Sequence, residues 1–124
     1  MQKNPVVFWE LASNDMEKSV RFFRDVFEWQ IEFDEGLGFY IIPDTTPAGQ
    51  SLEGGIFTLR RAKLPFVSLY LRVEDILEKA RLVEESGGLV IEAPHEIPGG
   101  SWICLFNDPS GVTFAMIQPK KRLG

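Results

Sequence analysis

The second half of this 124-residue chain repeats the first at an offset of about sixty residues, and that duplication constrains the fold more than any single motif does. Each half offers a strand, an amphipathic helix and then glycine-punctuated extended runs. The first copy opens on Phe8-Trp9-Glu10-Leu11 and the second on Ser68-Leu69-Tyr70-Leu71. Helices carrying Glu17-Lys18 and Glu78-Lys79 follow, and strands near Gly54–Leu59 and Thr113–Ile117 close the copies. Neither half alone buries enough apolar surface to be secure, so the expectation is one domain, 1–124, in which two modules share a core. Module 1 spans about 4–60, a short link about 61–65, and module 2 about 66–119.

Composition narrows the function. A net charge of −5 argues against a nucleic-acid backbone as partner, because that role needs a cationic surface. The single Cys104 excludes an internal disulfide framework. No apolar run approaches the roughly eighteen residues of a membrane span, and no signal-peptide pattern is present. A cytoplasmic setting is expected, with no membrane partner. Ten Phe and three Trp supply side chains that either fill a core or line a pocket.

Local signals place the elements. Asn4–Leu11 reads as a strand, and Asn14 stands three residues before Glu17 at capping-box spacing, ahead of a helix over 15–27. Met16, Val20, Phe23 and Phe27 form its apolar stripe, widened by Phe22 and Val26. Strands follow at Trp29–Phe33 and Gly38–Ile42, with an exposed loop over Pro43–Glu53 and a strand over Gly54–Arg60. In the second half, Phe66–Val73 is a strand. A helix ending near Ser86 presents Ile76, Ala80 and Val83, and Gly87-Gly88 stops it. Leu89–Glu92, Trp102–Phe106 and Thr113–Ile117 are the last strands. Asp108-Pro109-Ser110-Gly111, between the final two, carries the preferred residues of a type I turn. The run Lys120-Lys121-Arg122 reads as a solvated end.

This order, with Phe22-Phe23-Arg24-Asp25-Val26-Phe27-Glu28-Trp29 in one half and Phe106-Asn107-Asp108-Pro109-Ser110-Gly111 in the other, resembles the paired βαβββ modules of the vicinal oxygen chelate superfamily. That group includes glyoxalases, bleomycin-resistance proteins and extradiol dioxygenases. The resemblance implies an α+β fold, an eight-stranded curved sheet with a cup-shaped cleft between modules and helices on the outer face. It also implies a homodimer. Metal-dependent members place a His or Glu on the first strand of each module and a Glu on the last strand. Those positions fall here on Phe8, Ser68 and Ala115, and Gly55-Ile56-Phe57-Thr58-Leu59 likewise offers no carboxylate or imidazole. Phe and Ala donate no electron pair, and Ser is a poor neutral ligand, so no metal cofactor is expected.

Alternation puts Glu10 on the face of Phe8, as a ligand contact, a base, or a solvated or paired strand-end carboxylate. The expected ligand-binding set is Phe8, Glu10, Ser68, Tyr70, Trp102, Cys104, Thr113 and Ala115, an aromatic surface with a few hydroxyls. Cys104 itself has no base nearby in sequence and reads as an inert thiol. His95, the only imidazole, sits in a proline-rich loop after the strand Leu89–Glu92 and reads as a surface residue or a site contact. The expected activity is metal-free binding of a small molecule. The alternatives are a lyase, isomerase or dioxygenase whose divalent metal ligands are rearranged around Glu10, Glu53 or His95, and a structural dimer module without ligand.

Overall fold

The structure, a computed structural model, describes residues 3–43, 52–58 and 65–120. Eight strands and two helices stand among them, in the order β1 (Val6–Ser13), α1 (Met16–Phe27), β2 (Glu32–Asp34), β3 (Phe39–Ile42) and β4 (Glu53–Thr58). The second module follows as β5 (Phe66–Arg72), α2 (Ile76–Glu85), β6 (Leu89–Glu96), β7 (Trp102–Asn107) and β8 (Thr113–Gln118). The tandem βαβββ order and the α+β class read from the sequence are those observed. The link at 61–64, most of the loop before β4, Leu59, Arg60 and Lys121-Arg122 lie outside the described residues.

Two compact units divide the chain, one of Phe8–Ser68 and one of Leu69–Gly124 with Met1–Val7. In the first, the strands run in the order β2-β3-β4-β1. β1 and β4 are parallel, so the chain must cross over between them, and α1 makes part of that crossing. In the second unit, which β5 enters at Leu69, the order is β5-β8-β7-β6, with β5 and β8 again parallel. The amide of Arg72 donates to the Pro5 carbonyl at 2.9 Å, which ties the residues ahead of β1 into this unit.

The repeat survives at the level of single hydrogen bonds. Asp15 caps α1, its carboxylate accepting from the amides of Glu17 and Lys18, and Asp75 caps α2, accepting from Glu78. The capping residue of α1 is therefore Asp15, one place after Asn14, because the extended backbone at Asp15 aims its carboxylate at the free amides. A second donor in each first turn is satisfied from the last strand of the same module. Met16 donates to Thr58 Oγ1 at 2.8 Å and Ile76 to Gln118 Oε1 at 2.9 Å.

The helix ends differ. Gly87 takes a positive φ of 95° after α2, and the Gly88 amide returns to the Val83 carbonyl at 2.9 Å. After α1 the same left-handed role falls to Glu28, at φ 57°, a conformation that costs a residue with a Cβ. The turn at Asp108 closes as expected, the Gly111 amide donating to the Asp108 carbonyl at 2.9 Å.

Each helix covers one face of its module's sheet. Val20 on α1 packs with Ile31, Ile42 and Ile56, flanked by Trp9, Leu11, Met16, Phe23, Trp29 and Tyr40. Ile76 and Ala80 on α2 pack with Val73, Cys104 and Met116. The stripe expected on α1 is narrower than its sequence suggests: Phe22, Val26 and Phe27 are exposed. The rings of Phe22 and Phe27 associate with each other, Phe22 also meets Phe23, and Phe27 meets Trp29, on which Phe23 stacks at 4.7 Å. The strand read over Trp29–Phe33 shrinks to Glu32–Asp34, since Trp29 and Ile31 are used in that packing.

Candidate functional site

Pairing register decides which side chains share the face of a sheet that its helix leaves uncovered. In the first module Leu11 and Ile56 are partners and both pack beneath α1. Alternation then sends Phe8, Glu10 and Ala12 to the other face, with Glu10 opposite Gly55 and Gly55 opposite Ile41. Phe39 joins them. A methyl group built on Gly55 would stand 2.9 Å from the Phe39 ring and 3.1 Å from the Phe8 ring, so both rings close over this glycine. Phe8, Glu10 and Phe39 are all half-buried, leaving part of each surface open.

Phe39 was not among the expected contacts. Strand alternation alone gives no reason to set it beside Phe8; the pairing of β3 with β4 and of β4 with β1 does that. Gly54, on the opposite face, lies against Trp9 so closely that any side chain there would overlap the indole.

In the second module Cys104 and Met116 are partners, and both lie in the apolar cluster beneath α2 with Trp102 and Phe106 packed against it. Trp102 and Cys104 therefore do not share a face with Ala115, as the expected ligand set required. The uncovered face instead carries Tyr70, paired with Ala115, and Thr113, paired with Asn107. Ser68 follows by alternation from Tyr70. Burial raises the pKa of the Cys104 thiol, and the negative charge of Glu92 adds to the effect, so this sulfur is held as an inert thiol. The Thr113 hydroxyl is already committed, donating to Asn107 Oδ1 at 2.6 Å.

His95 lies in β6 rather than in a loop, opposite Ile103 and so on the uncovered face. Pro94 had argued for a loop, but β6 pairs on one side only, with β7, and shifts register twice between Val90 and His95. Such an edge tolerates a proline. The imidazole Nε2 is 3.8 Å from Glu92 Oε1, and Nδ1 is 3.1 Å from the Ala93 carbonyl oxygen. Glu53 is exposed at the start of β4, opposite Phe8.

The two modules match at the offset of the sequence repeat. Glu10 faces Gly55 as Tyr70 faces Ala115, each residue of the second pair sixty places after its counterpart. Phe8 thus corresponds to Ser68, and Gly55 to Ala115. Two aromatic or hydroxyl side chains and two positions with no functional group do not fit a divalent ion. Among the described residues no three of His, Cys, Asp and Glu are grouped to hold one.

Comparison with known proteins agrees with this architecture. A family profile described as Glyoxalase/Bleomycin resistance protein/Dioxygenase superfamily matches residues 5–116. No curated protein matches significantly. Among solved structures, a methylmalonyl-CoA epimerase variant of Streptomyces coelicolor, in complex with 2-nitronate-propionyl-CoA, is 16% identical. The match covers 97% of this chain and 100% of that one, at a TM-score of 0.66. The methylmalonyl-CoA epimerase of Mycobacterium tuberculosis is 16% identical over 94% and 88% of the two chains, at 0.63. A hypothetical protein of Bacillus halodurans C-125 is 13% identical over 99% of both, at 0.67. At these identities the solved structures speak for the fold. The family match spans nearly the whole chain, which belongs to the glyoxalase, bleomycin resistance protein and dioxygenase superfamily.

Proposed function

We propose that this protein binds a small organic molecule without the help of a metal ion, on sheet faces that the helices leave uncovered. One observation carries the reading. At the register-equivalent positions Phe8, Gly55, Ser68 and Ala115 the chain offers two rings, counting Phe39 beside Phe8, and one hydroxyl, where coordination would need carboxylates or imidazoles. Half-open aromatic rings favour a ligand with a planar or apolar portion. Glu10 adds a carboxylate to the same face.

A thermal-shift screen of planar and acyl-bearing small molecules tests this, since a ligand that binds the folded state raises the melting temperature. Propionyl-CoA belongs in that screen because one structural neighbour holds a propionyl-CoA derivative. Saturable stabilisation by at least one compound, reduced by Phe8→Ala, supports the reading; a screen without saturable hits contradicts it.

A second reading, catalysis, is favoured by the His95–Glu92 pair on the uncovered face of the second module. An imidazole beside a carboxylate can give a proton to a bound molecule or take one from it. Turnover of a screened ligand, abolished by His95→Gln, would establish it. Pairing into a homodimer also belongs to the proposal. Exposed Phe22, Val26 and Phe27 on α1, and Leu89 and Ile91 on the edge strand β6, support it. A dimer mass in light scattering is the expected result. No helix among the described residues is long and apolar enough to cross a membrane.

A further inference from the structure

Ser68 is 2% exposed, and its Oγ is the one buried side-chain polar atom among the described residues with no hydrogen-bond partner. The other buried polar residue shows how unusual this is. Ser13 is also buried, at 6% exposure, but its Oγ pairs with Ser19 Oγ at 2.6 Å and accepts from the Asp15 amide at 3.0 Å. A hydroxyl enclosed without a partner lowers stability, and an alanine in its place would remove that penalty.

We propose that the Ser68 hydroxyl is a ligand contact, and that it donates a hydrogen bond to a neutral carbonyl oxygen, as in a ketone, an ester, a thioester or an amide. The inference rests on the metal-free binding reading and specifies the chemistry the ligand brings. Ser68 lies on the uncovered strand face with Tyr70, which pairs with Ala115. Neither neighbour brings a positive charge. An anionic carboxylate placed there would lose its hydration without an ionic partner, whereas a carbonyl would lose far less. The hydroxyl hydrogen can rotate to meet an acceptor, and the groups that enclose Ser68 move aside to admit one.

The test uses the full chain, labelled with nitrogen-15, titrated with acetone and acetamide as neutral carbonyl probes and with acetate as the charged counterpart. Saturable shifts of the Leu69 and Tyr70 amides are expected with the neutral probes and not with acetate. Ser68→Ala should weaken the neutral probes about three- to tenfold, the range of one neutral hydrogen bond, and raise the melting temperature of the unliganded protein. Ser68→Thr, which keeps the hydroxyl, should retain binding. Equal probe affinity in Ser68→Ala, a lowered melting temperature in that variant, or no saturable shift in the parent would each overturn the inference. If larger compounds from the screen still bind in that case, the binding reading stands and only the role of Ser68 falls. If nothing binds, both fall.

Discussion

The amide of Ile76 donates to Gln118 Oε1 at 2.9 Å, and Met16 donates to Thr58 Oγ1 at 2.8 Å sixty residues earlier in each partner. In both modules the last strand thus reaches back to satisfy the first turn of the helix, where four amides lack partners. Thr58→Val and Gln118→Met keep the side-chain volume nearly constant and remove the acceptor. Each should cost about 1 kcal/mol in urea unfolding, the usual worth of such a bond. Unchanged midpoints would show that water replaces both contacts.

Glu28 ends α1 in the left-handed region at φ 57°, a role that Gly87 fills after α2. Glu28→Gly should therefore stabilise the protein, by roughly 0.5–1 kcal/mol after the greater freedom of glycine in the unfolded chain is counted. Thermal unfolding of the single variant measures it.

Gly54 lies against the Trp9 ring, and Trp9 in turn meets Trp29 edge-on at 5.9 Å. A methyl group at Gly54 has no free space, so Gly54→Ala should lose about 1–3 kcal/mol through forced movement of the indole. The tryptophan emission should shift with it. Gly55→Ala meets two phenylalanine rings at 2.9 and 3.1 Å and should perturb ligand binding as well.

The Cys104 thiol has a raised pKa, first because of burial and then because of Glu92. The folded state therefore holds the proton more tightly than the unfolded chain, whose thiol ionises near about 8.5. This contribution to stability is intact below that pH and is lost as pH rises toward the raised folded value. Ellman's reagent at pH 8 should react slowly with the native protein and rapidly in urea. Fast native reaction would mean that the β7 strand opens readily.

Much of this fold was legible in the sequence because its signals are local. Gly87-Gly88 and the turn from Asp108 to Gly111 act within a few residues of themselves, and the cap of α1 falls one place from the expected Asn14, on Asp15. The duplication then supplied the order of elements. Faces were harder. Alternation shows that Trp102 and Cys104 share a side of β7, but not that α2 covers that side; only the partnership of Cys104 with Met116 decides it. The same limit hid Phe39, whose place beside Phe8 depends on two strand pairings distant in sequence. His95 was misplaced for a different reason: Pro94 disfavours an internal strand but is compatible with the bulged edge strand it occupies.

Metal content tests the central claim most directly. Phe8, Gly55, Ser68 and Ala115 supply no set of donors for a divalent ion. Purified protein should therefore show no stoichiometric zinc, nickel, manganese or iron by elemental analysis, and its melting temperature should not change with a chelator. A stoichiometric divalent ion, removed by chelation with a fall in melting temperature and restored by titration, would contradict the account.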